Sequence, residues 1–344
     1  MIGRSGAGAG GAPAWPVAAA LPDEALRGLD EDVEAALGAG DESALPILGY
    51  GEISLVLGWP PEDPRFACKR LPVFPTRSRL DAYGRTLDAY LEALRRAGIR
   101  AVETELRPVS RDDGTVAAYV VQPALPADDL APAILAREDP DPGHPLVAAV
   151  VGTAAATVSP RVGLDAQLAN WTWDDSGLTY LDVSTPLLWS DEGRPLLDLE
   201  LLSRAIPWAL RGALRRLVVP GIVETYRDLR KVYLDLCGNL IKERLDRWLP
   251  AFLEQVARHL DPPLTAAEIQ RYYRSDARLW AMLLWIRRLD RAWQLRVRHR
   301  PYPFLLPGKI ERQPATVSEI RNRPHDRLAS PMDTPASPRG RTRP

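Results

Sequence analysis

The apolar and polar positions of the chain change period several times between residues 45 and 122. Alternation typical of strands occurs in five short runs, at 45–49, 53–59, 65–71, 101–109 and 115–122. Between the third and fourth runs, residues 76–97 place apolar side chains at helical spacing, and Thr76 or Ser78 would cap this helix. The pattern predicts a small five-stranded antiparallel sheet with one inserted helix, and an Asp-Gly turn at 113–114 favours a final hairpin.

The rest of the chain is predicted to be mainly helical, with disordered ends. The predicted regions are a disordered N-terminus at 1–21, an acidic helix at 22–41, the sheet lobe at 42–123, a mainly helical lobe at 124–310 and a disordered tail at 311–344. A second, short hairpin is expected at 171–183 within the helical lobe. Near the end of this lobe, five apolar residues share one helical face and are expected to be core: Leu279, Met282, Ile286, Leu289 and Trp293.

Composition narrows the class of protein. The 344 residues are 46% hydrophobic with ten tryptophans, which is typical of a packed globular protein. A formal net charge of −1 gives no global attraction to nucleic acid, and no run approaches the roughly 20 apolar residues of a membrane helix. The only cysteines, Cys68 and Cys237, exclude a disulfide framework, so a cytoplasmic protein without a membrane partner is expected.

The first two strands carry a glycine turn, and the third carries a lysine. Gly49 and Gly51 would let backbone amides approach phosphate oxygens, although two such glycines also suit a plain hairpin. Strand alternation puts Ala67 and Lys69 on one face, where a small residue and an ammonium could meet a nucleotide. The structural alternative to nucleotide binding is a lysine at the end of a strand whose ammonium simply points to water.

The strongest local motif is Gly163 to Asn170, followed by a carboxylate in an apolar strand. Asp165 would accept or orient the proton of an attacking hydroxyl, and the Asn170 carbonyl oxygen would bind Mg²⁺. Gln167 could hydrogen-bond the transferred phosphoryl group. Asp182 interrupts the run Tyr-Leu-Asp-Val, where burial is costly unless the carboxylate binds a metal or is well hydrogen-bonded. Loop caps are the structural alternative for all these polar residues.

Lys69 should have an acidic partner on the helix at 76–97. Asp88 and Glu92 lie one turn apart on its polar face, and Asp88 is preferred, although both could instead pair with neighbouring arginines. Farther along, residues 268–300 carry nine Arg against three acids. A solvated face explains most of this charge, and an anionic substrate or partner is the alternative.

Taken together, these motifs resemble the protein-kinase-like superfamily, closest to its aminoglycoside phosphotransferase and choline kinase branch. The matching parts, in chain order, are Gly49-x-Gly51, Ala67-x-Lys69, Asp165-x4-Asn170 and Asp182. The resemblance covers about residues 45–190. It implies an α+β, two-lobed protein-kinase-like fold, with a five-stranded antiparallel N-lobe and a mainly helical C-lobe, binding ATP and Mg²⁺ between them.

The resemblance also implies residue roles. It assigns the ATP site to Gly49, Gly51, Val56, Ala67, Lys69, Gln122 and Ala124, the metal to Asn170 and Asp182, and catalysis to Asp165. The expected activity is phosphoryl transfer to a hydroxyl of an unidentified small molecule.

The motifs depart from the family pattern at four places. Gly163-Leu164 precedes the catalytic Asp instead of His-Arg or His-Gly, Val183-Ser184 follows the metal Asp instead of Phe-Gly, and Ser54 replaces a glycine. In addition, no obvious Glu occupies the helix position expected to pair with Lys69. The alternative function is therefore a pseudokinase that binds nucleotide or a partner without catalysis. A third possibility is a basic nucleic-acid or scaffold protein that uses residues 268–300.

Overall fold

The computed structural model describes residues 21–50, 55–200 and 219–298, and in these ranges the chain is a mixed α+β protein. Its larger sheet has five antiparallel strands: β1 (Ile47–Tyr50), β2 (Leu55–Trp59), β3 (Phe66–Arg70), β4 (Glu105–Ser110) and β5 (Val116–Pro123). They lie in the order β1-β2-β3-β5-β4, so β3 is the middle strand and β5 lies between β3 and β4. The predicted five strands and their antiparallel pairing are confirmed.

Helix α1 (Asp23–Ala39) covers one face of this sheet. Its buried leucines pack with the sheet residues Leu57, Cys68 and Val121, all of which are fully buried. Asp30 of α1 is 4% exposed and binds the Arg70 and Arg111 guanidinium groups and the Tyr119 hydroxyl. Because strand side chains alternate, Lys69 points to the opposite face from Cys68.

Helix α2 (Arg77–Arg96) follows β3. The Thr76 side chain accepts a hydrogen bond from the Arg79 N–H, so the predicted cap is confirmed. The buried face of α2 carries two tyrosines whose hydroxyls bind backbone carbonyls in later loops of the chain. Tyr83 donates to the Ser184 carbonyl at 2.7 Å and Tyr90 donates to the Gly163 carbonyl at 3.1 Å. These bonds tie α2 to both loops that carry the candidate motifs.

The second half contains a hairpin and several helices. The helices are α3 (Ala131–Arg137), α4 (Pro145–Thr157), α5 (Val219–Thr225), α6 (Leu229–Lys242), α7 (Leu249–Val256) and α8 (Ala266–Arg296). The hairpin, β6 (Trp171–Asp174) and β7 (Gly177–Tyr180), lies between α4 and α5. It joins the first half through paired backbone bonds, with Tyr180 donating to the Arg100 carbonyl and accepting from the Val102 N–H.

The fourth strand and the last helix differ from what the sequence predicts. The fourth strand starts at Glu105, not at 101, because residues 100–102 pair with the hairpin instead of with the sheet. The predicted core stripe of the last helix is wrong, since Met282, Leu289 and Trp293 are each about half exposed. Their periodicity is helical, but the buried side of α8 is the one that carries Arg287. The predicted disordered tail and all but Leu21 of the disordered N-terminus lie outside the described residues.

Candidate functional site

The central contact of the site joins β3 to the segment after β7. The Lys69 Nζ atom donates to the Asp182 Oδ1 atom at 2.8 Å across 113 residues of sequence. The two side chains are 17% and 29% exposed, so the ion pair is shielded but open to solvent on one side. The two residues that sequence reasoning singled out as ammonium and carboxylate are therefore direct neighbours.

The Asp182 carboxylate is held ionised by its surroundings. Burial favours the neutral form, but the Lys69 charge and hydrogen bonds from Lys69 and Ser184 outweigh burial and lower the pKa of Asp182. Ser184 supplies two of these bonds to Oδ1, from its hydroxyl at 2.8 Å and its backbone N–H at 3.3 Å. Asp182 is thus a negative charge fixed in position beside a cation.

The sheet face around Lys69 is partly open. Val56 pairs with Lys69 and Ala67 pairs with Gln122 in the strand ladders, and all four side chains are half-buried. Their neighbours on the other face, such as Cys68, are fully buried under α1. A row of small and apolar groups next to an ammonium is a surface on which a flat ring could lie.

Gln122 connects this face to the Asp182 segment. Its side-chain nitrogen donates to the Leu181 carbonyl at 2.9 Å and to the Thr104 hydroxyl at 3.1 Å. Because Leu181 precedes Asp182, Gln122 fixes the distance between the sheet and the carboxylate. Ala124 follows β5 and is also one of the expected ATP-site residues. Its backbone N–H donates to the Arg65 carbonyl at 2.8 Å.

The loop with Asp165 and Asn170 lies directly beside the Asp182 segment. The Asn170 carbonyl accepts from the Leu181 N–H at 2.9 Å, and the Asn170 side-chain nitrogen donates to the Asp165 carbonyl at 3.2 Å. Asp165 Oδ1 accepts from the Gln167 N–H at 3.2 Å. With its nitrogen used in the loop, the amide of Asn170 has its oxygen left for a ligand such as a cation.

The position of Gly163 is tightly enclosed. A Cβ atom at this position would lie 2.9 Å from both the Trp189 ring and the Tyr226 carbonyl, so only glycine fits. The Leu164 N–H also donates to the Tyr226 carbonyl at 3.0 Å. Backbone contacts thus hold the loop on the N-terminal side of Asp165.

Sequence reasoning missed two acids that accept hydrogen bonds from this loop, Asp235 of α6 and Glu243, the residue that follows the helix. Asp235 accepts from the Gln167 side chain at 3.0 Å and from the Tyr272 hydroxyl at 2.8 Å. Burial raises the pKa of Asp235. Burial also raises the pKa of Glu243 to about 7, although the Ala169 N–H donates to its carboxylate. Asp235 stands inside the apolar run from Val232 to Cys237, which is the sequence signal that could have identified it, whereas Glu243 follows Lys242 and carries no such signal.

Some predicted site residues are not brought together. Asp88 does not pair with Lys69, whose ionic partner is Asp182: Asp88 is exposed and lines a surface pocket beside Arg85. The alternative partner, Glu92, binds Arg95 and Arg96 instead. The cause is that the apolar stripe of α2 occupies its inner side, so both acids face outward. The Gln167 side chain, predicted near a phosphoryl group, is bound to Asp235.

The glycine turn can be placed only in part. Gly49 is paired with Val56 across β1 and β2, whereas Gly51 and Ser54 lie outside the described residues.

The described residues offer oxygen ligands for a cation but no cluster of metal-binding side chains. Within the described ranges, no group of three or more His, Cys, Asp or Glu side chains is arranged to hold a metal ion. Mg²⁺ needs fewer protein ligands, because it commonly binds one or two protein oxygens together with substrate phosphates and water, and Asp182 and Asn170 offer such oxygens.

None of the described helices is both long and apolar enough to cross a bilayer.

Comparison with known proteins gives a family but no activity. No curated protein matches the sequence. A family described as a family of unknown function, DUF6206, matches residues 28–291, which include most of α1, the sheet, Lys69, Asp165, Asn170, Asp182 and most of α8. Because the match spans well over half of the 344 residues, the chain belongs to the DUF6206 family.

Proposed function

We propose that the chain has a two-lobed protein-kinase-like fold and is an ATP- and Mg²⁺-dependent phosphotransferase acting on a hydroxyl of a small molecule. The observation that carries the proposal is the 2.8 Å contact between Lys69 and Asp182. An ammonium from a sheet and a carboxylate from the segment after a separate hairpin are the two charges that a triphosphate and its metal ion require.

The roles of the residues follow from their positions. Lys69 would bind the α- and β-phosphates, and the half-buried face with Val56 and Ala67 would take the adenine ring. Asp182 and the amide oxygen of Asn170 would hold the Mg²⁺ ion, whose charge offsets the negative charge of the phosphates. The direct ion pair would then open so that each partner turns to the ligand.

Asp165 would act on the acceptor. Its carboxylate is fixed by the Gln167 N–H, and its loop is bound to the Asp182 segment through Asn170. In the reaction, the acceptor oxygen bonds to the γ-phosphorus while the bond from that phosphorus to the β–γ bridging oxygen breaks. The hydroxyl proton passes to Asp165, and ADP leaves with the bridging oxygen.

A pseudokinase is the second candidate, and one observation favours it. Asp182 Oδ1 already accepts from Lys69, the Ser184 hydroxyl and the Ser184 N–H. A carboxylate that is so well satisfied without a metal loses these bonds when it turns to one. The site could then bind nucleotide, or only a partner, without turnover.

Binding and transfer measured on the same variants separate these functions. Asp165→Ala should abolish phosphoryl transfer from labelled ATP to a panel of alcohols and leave Mg·ATP affinity unchanged, because Asp165 touches the acceptor. Asp182→Ala should lose Mg²⁺-dependent nucleotide binding. Arg77→Ala, in an exposed pair on α2, is the matched control. Wild-type binding without transfer to any acceptor supports the pseudokinase, and absence of Mg·ATP binding rejects both the phosphotransferase and a nucleotide-binding pseudokinase.

A further inference from the structure

The outward face of α8 carries an apolar stripe that the candidate site does not explain. We define the α8 stripe as five large side chains that are each about half exposed or more: Met282, Trp285, Leu289, Trp293 and Val297. The first four lie on α8 and Val297 is the residue that caps its end, so the five extend over about 22 Å at 1.5 Å per residue. Trp285 is the most exposed of them, at 62%. Contiguous exposed apolar surface of this kind marks an interaction site.

The inner side of the same helix is anchored, so the stripe has a fixed direction. Arg287 is 6% exposed, and the Arg291 side chain donates to the Gly40 carbonyl at the end of α1 at 3.0 Å. The stripe therefore lies on the side of α8 opposite these contacts, where the helix surface is a convex ridge.

The charged groups around the stripe are one-sided. Arg271, Arg274, Arg278 and Arg296 are exposed, and none forms an ion pair with a residue in the described ranges. At 100° per residue, all four fall on the outward side with the stripe. The helix has three acids, Glu268, Asp276 and Asp290, and all are half-buried, with Glu268 bound to Arg230. The exposed charged side chains of α8 are thus all arginines.

We propose that the α8 stripe docks on an anionic lipid bilayer, lying in the plane of the membrane interface. A helix with exposed Trp and Leu flanked by Arg is the pattern of interfacial binding, where the rings enter the headgroup region and the guanidinium groups meet lipid phosphates. Such a surface does not require a groove, and a convex ridge fits it directly. Tryptophan is also the side chain most enriched at this depth.

The charge distribution disfavours a second copy of the chain. Antiparallel pairing of two stripes would place Arg278 of one chain near Arg296 of the other, and no exposed acid on this face would compensate. An acidic protein helix would satisfy the charge. However, its apolar face would meet a ridge, whereas helix recognition usually uses a groove.

Co-sedimentation of the full chain with vesicles tests the proposal. Vesicles of phosphatidylcholine mixed with phosphatidylserine should bind the protein, and vesicles of phosphatidylcholine alone should bind it far less. The double variant Arg278→Gln/Arg296→Gln should weaken binding by about 25-fold, since each arginine near an anionic surface contributes about fivefold. Trp285→Gln should weaken binding by about tenfold through lost apolar burial.

Matched controls keep each outcome decisive. Arg95→Gln/Arg96→Gln removes two exposed arginines from α2, and Leu196→Gln removes an exposed leucine outside α8; both should bind vesicles like the wild type. Equal weakening by the controls, equal binding to the two vesicle types, or no binding overturns the proposal. So does a dimer, seen by light scattering, that Trp285→Gln dissociates, or polyglutamate that binds the stripe while vesicles do not.

Discussion

Breaking the ion pair between Lys69 and Asp182 should destabilise the fold by an amount that its partial burial sets. Lys69→Met removes the ammonium and keeps much of the apolar stem, and Asp182→Asn removes the charge at nearly constant shape. The double variant, Lys69→Met/Asp182→Asn, leaves neither charge. These three proteins and the wild type form a double-mutant cycle that isolates the pairwise interaction.

The expected magnitude lies between two limits. Removing one partner of a fully buried pair costs about 3–5 kcal/mol, and an exposed pair contributes about 0–1 kcal/mol. With side chains 17% and 29% exposed, Lys69 and Asp182 are nearer the buried limit, and Ser184 still supports the carboxylate. Each single variant should therefore lose about 2 kcal/mol, with a coupling energy of about 1–2 kcal/mol.

Urea unfolding followed by far-ultraviolet circular dichroism measures these free energies. The pH dependence of the same measurement tests the charge state of Asp182. The pKa of Asp182 is lowered by folding, so its contribution is present above the unfolded pKa of about 4 and is lost as pH falls through the folded value. The difference between wild type and Lys69→Met should accordingly shrink on acidification below about pH 4.

A coupling energy near zero would refute this reasoning. Sites that do not interact add within about 0.5 kcal/mol, so a value below that limit means that Lys69 and Asp182 do not form the pair in solution. A larger stability difference at pH 3 than at pH 7 would contradict the assigned charge state.

Three further results are expected. Asp30→Asn should cost about 3 kcal/mol in urea unfolding, because two arginines and Tyr119 lose a buried carboxylate, whereas an unchanged midpoint would reject that network. Glu243→Gln should raise the free energy of unfolding more at pH 8 than at pH 5. The pKa of Glu243 is raised to about 7 in the folded protein, so its contribution to stability is full below the unfolded pKa and is lost as pH rises through 7. A pH-independent effect of that variant would contradict the burial of Glu243. Gln122→Ala should cost about 1–2 kcal/mol and weaken Mg·ATP binding, measured by calorimetry, through loss of the Leu181 contact; unchanged affinity would show that Gln122 does not position Asp182.

Much of the sheet could be predicted because its signals are local. Strand alternation, the Asp-Gly turn and the Thr76 cap each depend on residues a few positions apart, and the strands and α2 occur where these signals lie. The candidate site was accessible for a related reason. A carboxylate inside an apolar strand, as at Asp182, is costly without a partner, so the sequence alone indicates that one exists.

What the sequence could not determine is which face of a helix is covered. Asp88 lies on the polar side of α2, and that side faces solvent because Tyr83 and Tyr90 occupy the inner side. Periodicity similarly shows that Met282 and Leu289 share a face of α8 but does not show that the body packs against the opposite face. Contacts such as that from Gln167 to Asp235 span 68 residues and leave no local pattern.

The most direct test of the account is the Mg²⁺ dependence of ATP binding, measured by calorimetry on the wild type and Asp182→Asn. The account predicts that the wild type binds ATP more tightly with Mg²⁺ than without it, and that this gain disappears in Asp182→Asn while the metal-free affinity persists. If the wild type binds no ATP under either condition, or if Asp182→Asn retains the full gain, Lys69 and Asp182 do not form a nucleotide and metal site.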